Sequence, residues 1–252
     1  MNPLLKEDTL LGNVHSIETF GAFDGPGIRY VLFLQGCPFR CQYCHNRDTW
    51  GVHENKRMSV KEILHDFEKY SHFYKNGGLT VSGGEALLQL DFIIELFKEA
   101  KHRNIHTCLD TSAGCYNDKD DEKYKTLLSY TDLVLLDIKH IDDLEHIKLT
   151  KHSNYRVLSF ARLLSDLNIK TVIRHVLLPT INDQKHYLLR LRNFLDQLAN
   201  IVKIEVLPYH KTGIKKWEDL GYEYELYHIK EPTEIEVKFA EEVLTNDYRF
   251  IR

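Results

Sequence analysis

Arg29-Tyr30-Val31-Leu32-Phe33-Leu34-Gln35-Gly36-Cys37-Pro38-Phe39-Arg40-Cys41-Gln42-Tyr43-Cys44-His45-Asn46 joins a near-continuous apolar run to three cysteines that lie within eight residues. An apolar run with no polar alternation predicts a strand buried on both faces. The loop that follows is short enough to aim all three thiols at one point. Such crowding serves a metal, redox chemistry or a disulfide rather than packing.

Outward from this stretch, strand and helix patterns alternate about six times. Upstream, residues 12–20 read as a strand and Asp24-Gly25-Pro26-Gly27 as a turn. Downstream, Ser59-Val60-Lys61-Glu62 has capping-box spacing and predicts a helix to about Tyr70. Strands are expected at 79–82, 105–110, 133–138, 169–178 and 202–207. Helices are expected at 91–103, 122–130, 142–149, 155–167, 185–198 and 233–245. Alternation of this kind implies a parallel sheet with right-handed crossovers. Six units fall short of the eight in a closed (β/α)8 barrel. The fold class is therefore α/β, as a partial, open barrel or a doubly wound sheet.

The chain has 252 residues, 43% of them hydrophobic and 28% charged, which is globular composition. A single domain over 1–252 is expected: a strand and turn at 12–28, a core at about 29–210, and a loop and helix at 211–252. The net charge of −4 argues against broad nucleic-acid binding. No apolar run approaches the ~20 residues of a membrane span, and the first residues carry no signal-peptide pattern. The expectation is a cytoplasmic protein without a membrane. In that compartment, and with an odd count of five cysteines, a disulfide is disfavoured.

Polar residues gather where the expected strands end: the cysteine loop, Gly83-Gly84-Glu85, Asp110-Thr111, Asp137 and Lys139, Arg174 within the fifth strand, and His210 after the sixth. Ligands of parallel α/β folds sit at the carboxyl ends of strands. Each residue has a plainer alternative. Gly83-Gly84 reads equally as a turn, Asp110 and Asp137 as helix caps, Arg174 as half of a structural ion pair, and His210 as a surface histidine.

A zinc site built from Cys37, Cys41, Cys44 and His45 is one alternative. However, adjacent Cys44 and His45 are poorly placed to meet one tetrahedral ion, and no second ligand pair follows. Cys108 falls mid-strand as a small core residue, and Cys115 falls in a loop. An iron–sulfur cubane fits better. It takes one thiolate per iron, so three cysteines leave one iron open to substrate.

Cys37-x3-Cys41-x2-Cys44, with Tyr43 before the last cysteine and Gly83-Gly84-Glu85 after the next strand, resembles the cluster motif of the radical S-adenosylmethionine (SAM) superfamily. Asp24-Gly25-Pro26-Gly27-Ile28-Arg29, Tyr43-Cys44-His45-Asn46, Ser82-Gly83-Gly84-Glu85, His106-Thr107-Cys108-Leu109-Asp110-Thr111, Asp137-Ile138-Lys139 and Leu207-Pro208-Tyr209-His210 extend the resemblance to its glycyl-radical-enzyme activases, over about 15–217. No ferredoxin-like insert separates Cys44 from Ser59, which matches the single-cluster type. Phe20 stands where some relatives have a cysteine.

The resemblance implies a partial, open (β/α)6 barrel. It also implies a 4Fe–4S cluster on Cys37, Cys41 and Cys44 that cleaves SAM to a 5′-deoxyadenosyl radical, which abstracts hydrogen from a glycine Cα. The expected protein substrate is a glycyl radical enzyme of the formate acetyltransferase type, with reduced flavodoxin or ferredoxin as electron donor. Expected SAM contacts are Tyr43, Cys44, His45, Gly83, Gly84, Glu85, Asp137, Ile138, Lys139, Arg174 and His210. A monovalent cation is expected at Asp110, Thr111, the Leu135 backbone and Asp137. The partner protein is expected to touch Asp24, Gly25, Pro26, Gly27 and Arg29, with Lys211, Lys215, Lys216 and Trp217 as further docking candidates. The rivals are a radical SAM enzyme with another target, such as a small molecule, and a non-catalytic zinc-stabilised protein.

Overall fold

A computed structural model describes residues 10–245, so the expected outer limits 1 and 252 lie outside the described residues. The elements in chain order are β1 (Leu11–Gly21), β2 (Arg29–Leu34), β3 (Lys56–Ser59), α1 (Val60–Lys69), β4 (Gly78–Gly83), α2 (Leu90–His102), β5 (Thr107–Thr111), α3 (Asp121–Ser129), β6 (Leu133–Asp137), α4 (Asp143–Thr150), α5 (Tyr155–Asp166), β7 (Thr171–Leu177), α6 (Lys185–Leu195), β8 (Ile201–Pro208), α7 (Ile214–Asp219) and α8 (Glu234–Thr245). Every expected strand and helix is present, with ends shifted by a few residues.

The strands form one sheet in the order β3-β1-β2-β4-β5-β6-β7-β8. With β3 and β8 at its edges the sheet is open. β2 pairs in parallel with β4, β4 with β5, and β7 with β8. The succession of β2, β4, β5, β6, β7 and β8, with intervening helices, is the element order of a partial, open (β/α)6 barrel. β1 runs antiparallel to both β2 and β3. The Lys56-Arg57-Met58-Ser59 strand has no sequence signal of its own, because only Met58 is buried and the pairing with β1 defines it.

The described residues divide into two compact units. The first holds 10–37, 49–111 and 115–135, and the second holds 38–48, 112–114 and 136–245. In the first unit β2 and β4 are almost wholly buried, as the unbroken apolar run required. α1 starts on the expected capping box: Ser59 N–H donates to Glu62 Oε2 at 2.7 Å, and Glu62 N–H donates to Ser59 Oγ at 3.3 Å. In the second unit Asp142 caps α4, its Oδ1 accepting from the backbone of Leu144 and Glu145.

The Asp24–Gly27 turn precedes β2. The β2–β4 register runs from Arg29↔Gly78 to Leu34↔Gly83, so the turn lies at the amino ends of these strands. Gly83 lies at their carboxyl ends, roughly 17 Å away at strand rise. Arg29 is fully buried. Its Nη2 donates to the Leu79 carbonyl at 2.7 Å and its Nη1 to the Pro26 carbonyl at 3.2 Å, while Thr80 Oγ1 donates to the Asp24 carbonyl at 2.7 Å. Burial lowers its pKa, and only a closed set of acceptors makes such a charge tolerable inside. The Arg29 guanidinium thereby ties the turn to β4.

Candidate active site

Site residues of the first unit are set mostly by backbone. Gly36 N–H donates to the Thr49 carbonyl at 2.8 Å, Gly84 N–H to the Leu34 carbonyl at 3.0 Å, and Glu85 N–H to the Gly36 carbonyl at 2.8 Å. The chain just before Cys37 is thus laced to the chain just after β4. A Cβ on Gly83 would sit 2.3 Å from the Leu34 oxygen, and its φ of +139° is itself costly for an L side chain. A Cβ on Gly84 would sit 2.4 Å from the Gly36 oxygen and 2.8 Å from Thr49 Oγ1. Both glycines are therefore demanded by packing against the chain that leads to Cys37, which is a different reason from approach to a ligand.

Glu85 is 1% exposed. It caps the short 3-10 turn Ala86–Gln89 through Leu87 N–H at 3.1 Å and accepts the Thr111 hydroxyl. Asp110 accepts the Ser82 hydroxyl at 2.8 Å. Asp110 is thus a strand-to-strand acceptor rather than a helix cap. Cys108 is fully buried and Cys115 half-buried.

Site residues of the second unit are set by side chains. The Lys139 ammonium lies 2.9 Å from Asp137 Oδ2 and 5.7 Å from the Tyr43 ring centroid. Burial opposes its charge, yet the Asp137 carboxylate beside it carries its pKa well above the ordinary lysine value. Cys41 is buried in the same neighbourhood, and burial pushes its thiol up to about 12. A thiolate at Cys41 therefore calls for a bound cation such as iron. Burial also raises the Tyr43 phenol, whose hydroxyl has no hydrogen-bond partner among the described residues. An orphaned buried hydroxyl beside a buried ion pair suits a polar ligand.

Arg174 pairs with Glu205, directly opposite it on β8, through Nε at 3.1 Å, so the structural ion pair is present. Ile138 is fully buried; its N–H donates to the Arg174 carbonyl at 3.0 Å and its own carbonyl accepts from His175 Nδ1 at 2.7 Å. His45 turns to His210: the rings are 4.3 Å apart, and His45 Nε2 donates to the His210 carbonyl at 3.1 Å. Trp217 is 3% exposed, and its indole N–H donates to the Cys44 carbonyl at 2.7 Å. Lys216 is engaged by Asp48 at 3.1 Å and Lys211 Nζ by the Tyr227 carbonyl at 2.7 Å, while Lys215 is exposed.

None of the five cysteines forms a disulfide. Among the described residues no three or more His, Cys, Asp or Glu side chains are grouped to hold a single metal ion. Cubane ligands answer a different geometry, each thiolate going to its own iron. The residue types fit such a cluster: three thiols on one short loop, with the Asp137–Lys139 pair near Cys41.

The radical SAM superfamily model matches residues 31–191. A pyruvate formate-lyase-activating enzyme of Staphylococcus epidermidis (strain ATCC 12228 / FDA PCI 1200) is 49% identical over 236 residues, covering 92% of this chain and 94% of that protein. The chain belongs to the radical SAM superfamily, among the pyruvate formate-lyase-activating enzymes. Radical SAM membership brings a 4Fe–4S cluster and SAM as cofactors. The fold matches a domain of a pyruvate-formate lyase-activating enzyme from Bacteroides vulgatus ATCC 8482, with TM-score 0.56, 23% identity, and coverage of 68% of this chain and 94% of that one. It also matches Streptococcus suis SuiB bound to S-adenosylmethionine, with TM-score 0.61, 18% identity, and coverage of 84% and 45%. At these identities the two likenesses concern the fold. No helix among the described residues is long and apolar enough to cross a membrane.

Sequence reasoning missed Trp217 as a contact of the cysteine loop. The pairing joins residues 173 positions apart, and nothing in the local pattern announces it.

Proposed function

We propose that this protein activates a glycyl radical enzyme of the formate acetyltransferase type, drawing its electron from reduced flavodoxin or ferredoxin in a reducing cytoplasm. The observation that carries the reading is the cysteine loop, whose Cys41 is buried near the Asp137–Lys139 pair, in a chain 49% identical to a named activating enzyme. When bound and reduced, the cluster supplies the electron that breaks a sulfur–carbon bond of SAM, which initiates hydrogen abstraction from a glycine Cα of the partner.

Cys37, Cys41 and Cys44 would each hold one iron and leave the fourth to SAM. Asp137 and Lys139 offer one charge of each sign, matching the ammonium and carboxylate of an amino acid. Tyr43 would donate its unused hydroxyl. Arg174, steadied by Glu205, and His210, beside His45, would complete the contacts, while the Cys41 and Tyr43 surroundings exclude water. Gly83, Gly84 and Glu85 act by holding the approach to Cys37.

The test is anaerobic incubation of the reduced protein with SAM and formate acetyltransferase, followed by electron paramagnetic resonance. A glycyl radical is expected, and Cys41→Ala should abolish it together with SAM cleavage. SAM cleavage by the unaltered protein without a glycyl radical would move the reading to another target.

A further inference from the structure

The loop at 38–48 carries Cys41 and Cys44, yet its only regular structure is the start of the 3-10 turn Arg47–Thr49. A loop of this kind is held by its neighbours or not at all. On one side the end of α4 holds it: Arg40 N–H donates to the Thr150 carbonyl at 2.9 Å, and Gln42 N–H to the Leu149 carbonyl at 3.0 Å. Between Gln42 and Asp48, the contacts to the rest of the second unit come largely from the segment that follows β8.

We propose that residues 210–225 form a strap that fixes the cysteine loop, with Trp217 as the positioning residue for Cys44. The inference rests on the reading that Cys41 and Cys44 are cluster ligands. Trp217 donates its indole N–H to the Cys44 carbonyl at 2.7 Å. The next loop residue, His45, donates to the His210 carbonyl, and a Cβ on Gly213 would lie 2.5 Å from the His45 ring. The Arg47 guanidinium lies 5.1 Å from the Trp217 ring centroid and 3.8 Å from that of Tyr222. Lys216 pairs with Asp48 at 3.1 Å, and Gln42 Nε2 donates to Glu225. Trp217 and Tyr224 pack edge to face with centroids 5.3 Å apart, and the Tyr224 hydroxyl meets that of Tyr209 at 2.9 Å.

Five successive kinds of contact are therefore spent on a stretch of seven loop residues: an indole donor, a histidine pair, an arginine between two rings, an ion pair and an amide–carboxylate bond. Most concern polar or charged loop side chains that water would otherwise satisfy, so core packing alone does not require them. Their common effect is to fix the main chain at Cys44 and on both sides of it. A cluster ligand whose backbone can swing lets its iron be attacked by chelators, whereas one that is held resists loss.

The test uses the reconstituted holoenzyme and follows cluster absorbance during anaerobic challenge with an iron chelator. Trp217→Phe keeps the ring and removes the donor. Cluster loss is expected to speed up by about fivefold to tenfold, the weight of one hydrogen bond in a buried setting, with the thermal midpoint of the apo-protein little changed. Asp48→Lys should also speed the loss, and Lys216→Asp added to it should restore a slower rate, which a role in bulk stability alone would not produce. Loss at the unaltered rate in both Trp217→Phe and Asp48→Lys, with iron absent from Cys41→Ala, would overturn the strap and leave the ligand assignment intact. Full iron content in Cys41→Ala would instead overturn the ligand assignment beneath it.

Discussion

The carboxyl end of β4 and the cysteine loop are built from different materials. At Gly83-Gly84-Glu85 the main chain does the positioning, through hydrogen bonds to Leu34 and Gly36 and through two positions where a Cβ does not fit. Around Cys41 and Cys44 two backbone bonds from the end of α4 are joined by side chains: a buried ion pair, an indole donor, and rings stacked on an arginine. The first arrangement is indifferent to charge and intolerant of volume. The second depends on which charges and donors are present.

The largest test of this contrast is Gly84→Ala. The added methyl must displace backbone, so a loss of about 3 kcal/mol is expected in chemical denaturation. A loss below about 0.5 kcal/mol would show that the lacing is looser than the distances require.

Lys139→Met probes the other region. It preserves volume but leaves Asp137 without its cation. Because the side chains are 13% and 28% exposed, a loss of about 2 kcal/mol is expected rather than the full penalty of a sealed pair. Adding Asp137→Asn should recover part of that stability, although not SAM binding measured by calorimetry. Failure of the second change to recover any stability would indicate that packing, not charge, holds this region.

The smallest expected effect of a single substitution concerns acid sensitivity and is read at His175 in the second unit. Burial lowers His175 to about 4, with His140, Asp137 and Lys139 as its charged or titratable neighbours, and lowers His146 to about 4 as well. The unfolded chain binds these protons near 6.5. Between about 6.5 and 4 the unfolded state holds the proton and the native state does not. Stability is therefore full above that window and falls as the pH drops through it. At pH 5.5 each histidine accounts for a loss on the order of 1 kcal/mol. His175→Gln should flatten the decline in denaturation midpoints between pH 7 and 5 in part, since His146 and the other histidines lowered by burial, His45, His106 and His140, remain. An unchanged slope would refute the assignment.

Much of the fold was legible because its signals are local. The apolar run of β2, the Ser59 capping box and the strand–helix alternation each occupy a few consecutive residues, and each formed as expected. β3 was illegible because it exists only through pairing with β1. The same division runs through the candidate site. The three cysteines and the glycine pair stood out by spacing, but the reason for the glycines did not, since it lies in the approach of Leu34 and Gly36. The burial of Arg29 was equally hidden. Within an Asp24–Arg29 turn motif, a charged residue reads the same whether it faces a partner or the Leu79 carbonyl.

The sequence by itself determined the order of strands and helices and the thiol loop at the end of β2, because periodicity and spacing are properties of the chain, and the likeness of its motifs to known proteins carried the family. Only the tertiary structure decided that Trp217 belongs to the Cys44 loop, that Glu85 caps a turn, that Arg174 answers Glu205, and that Lys139 is held charged by Asp137. Those assignments depend on which distant groups share a desolvated space, and a one-dimensional pattern of residue types does not encode that choice.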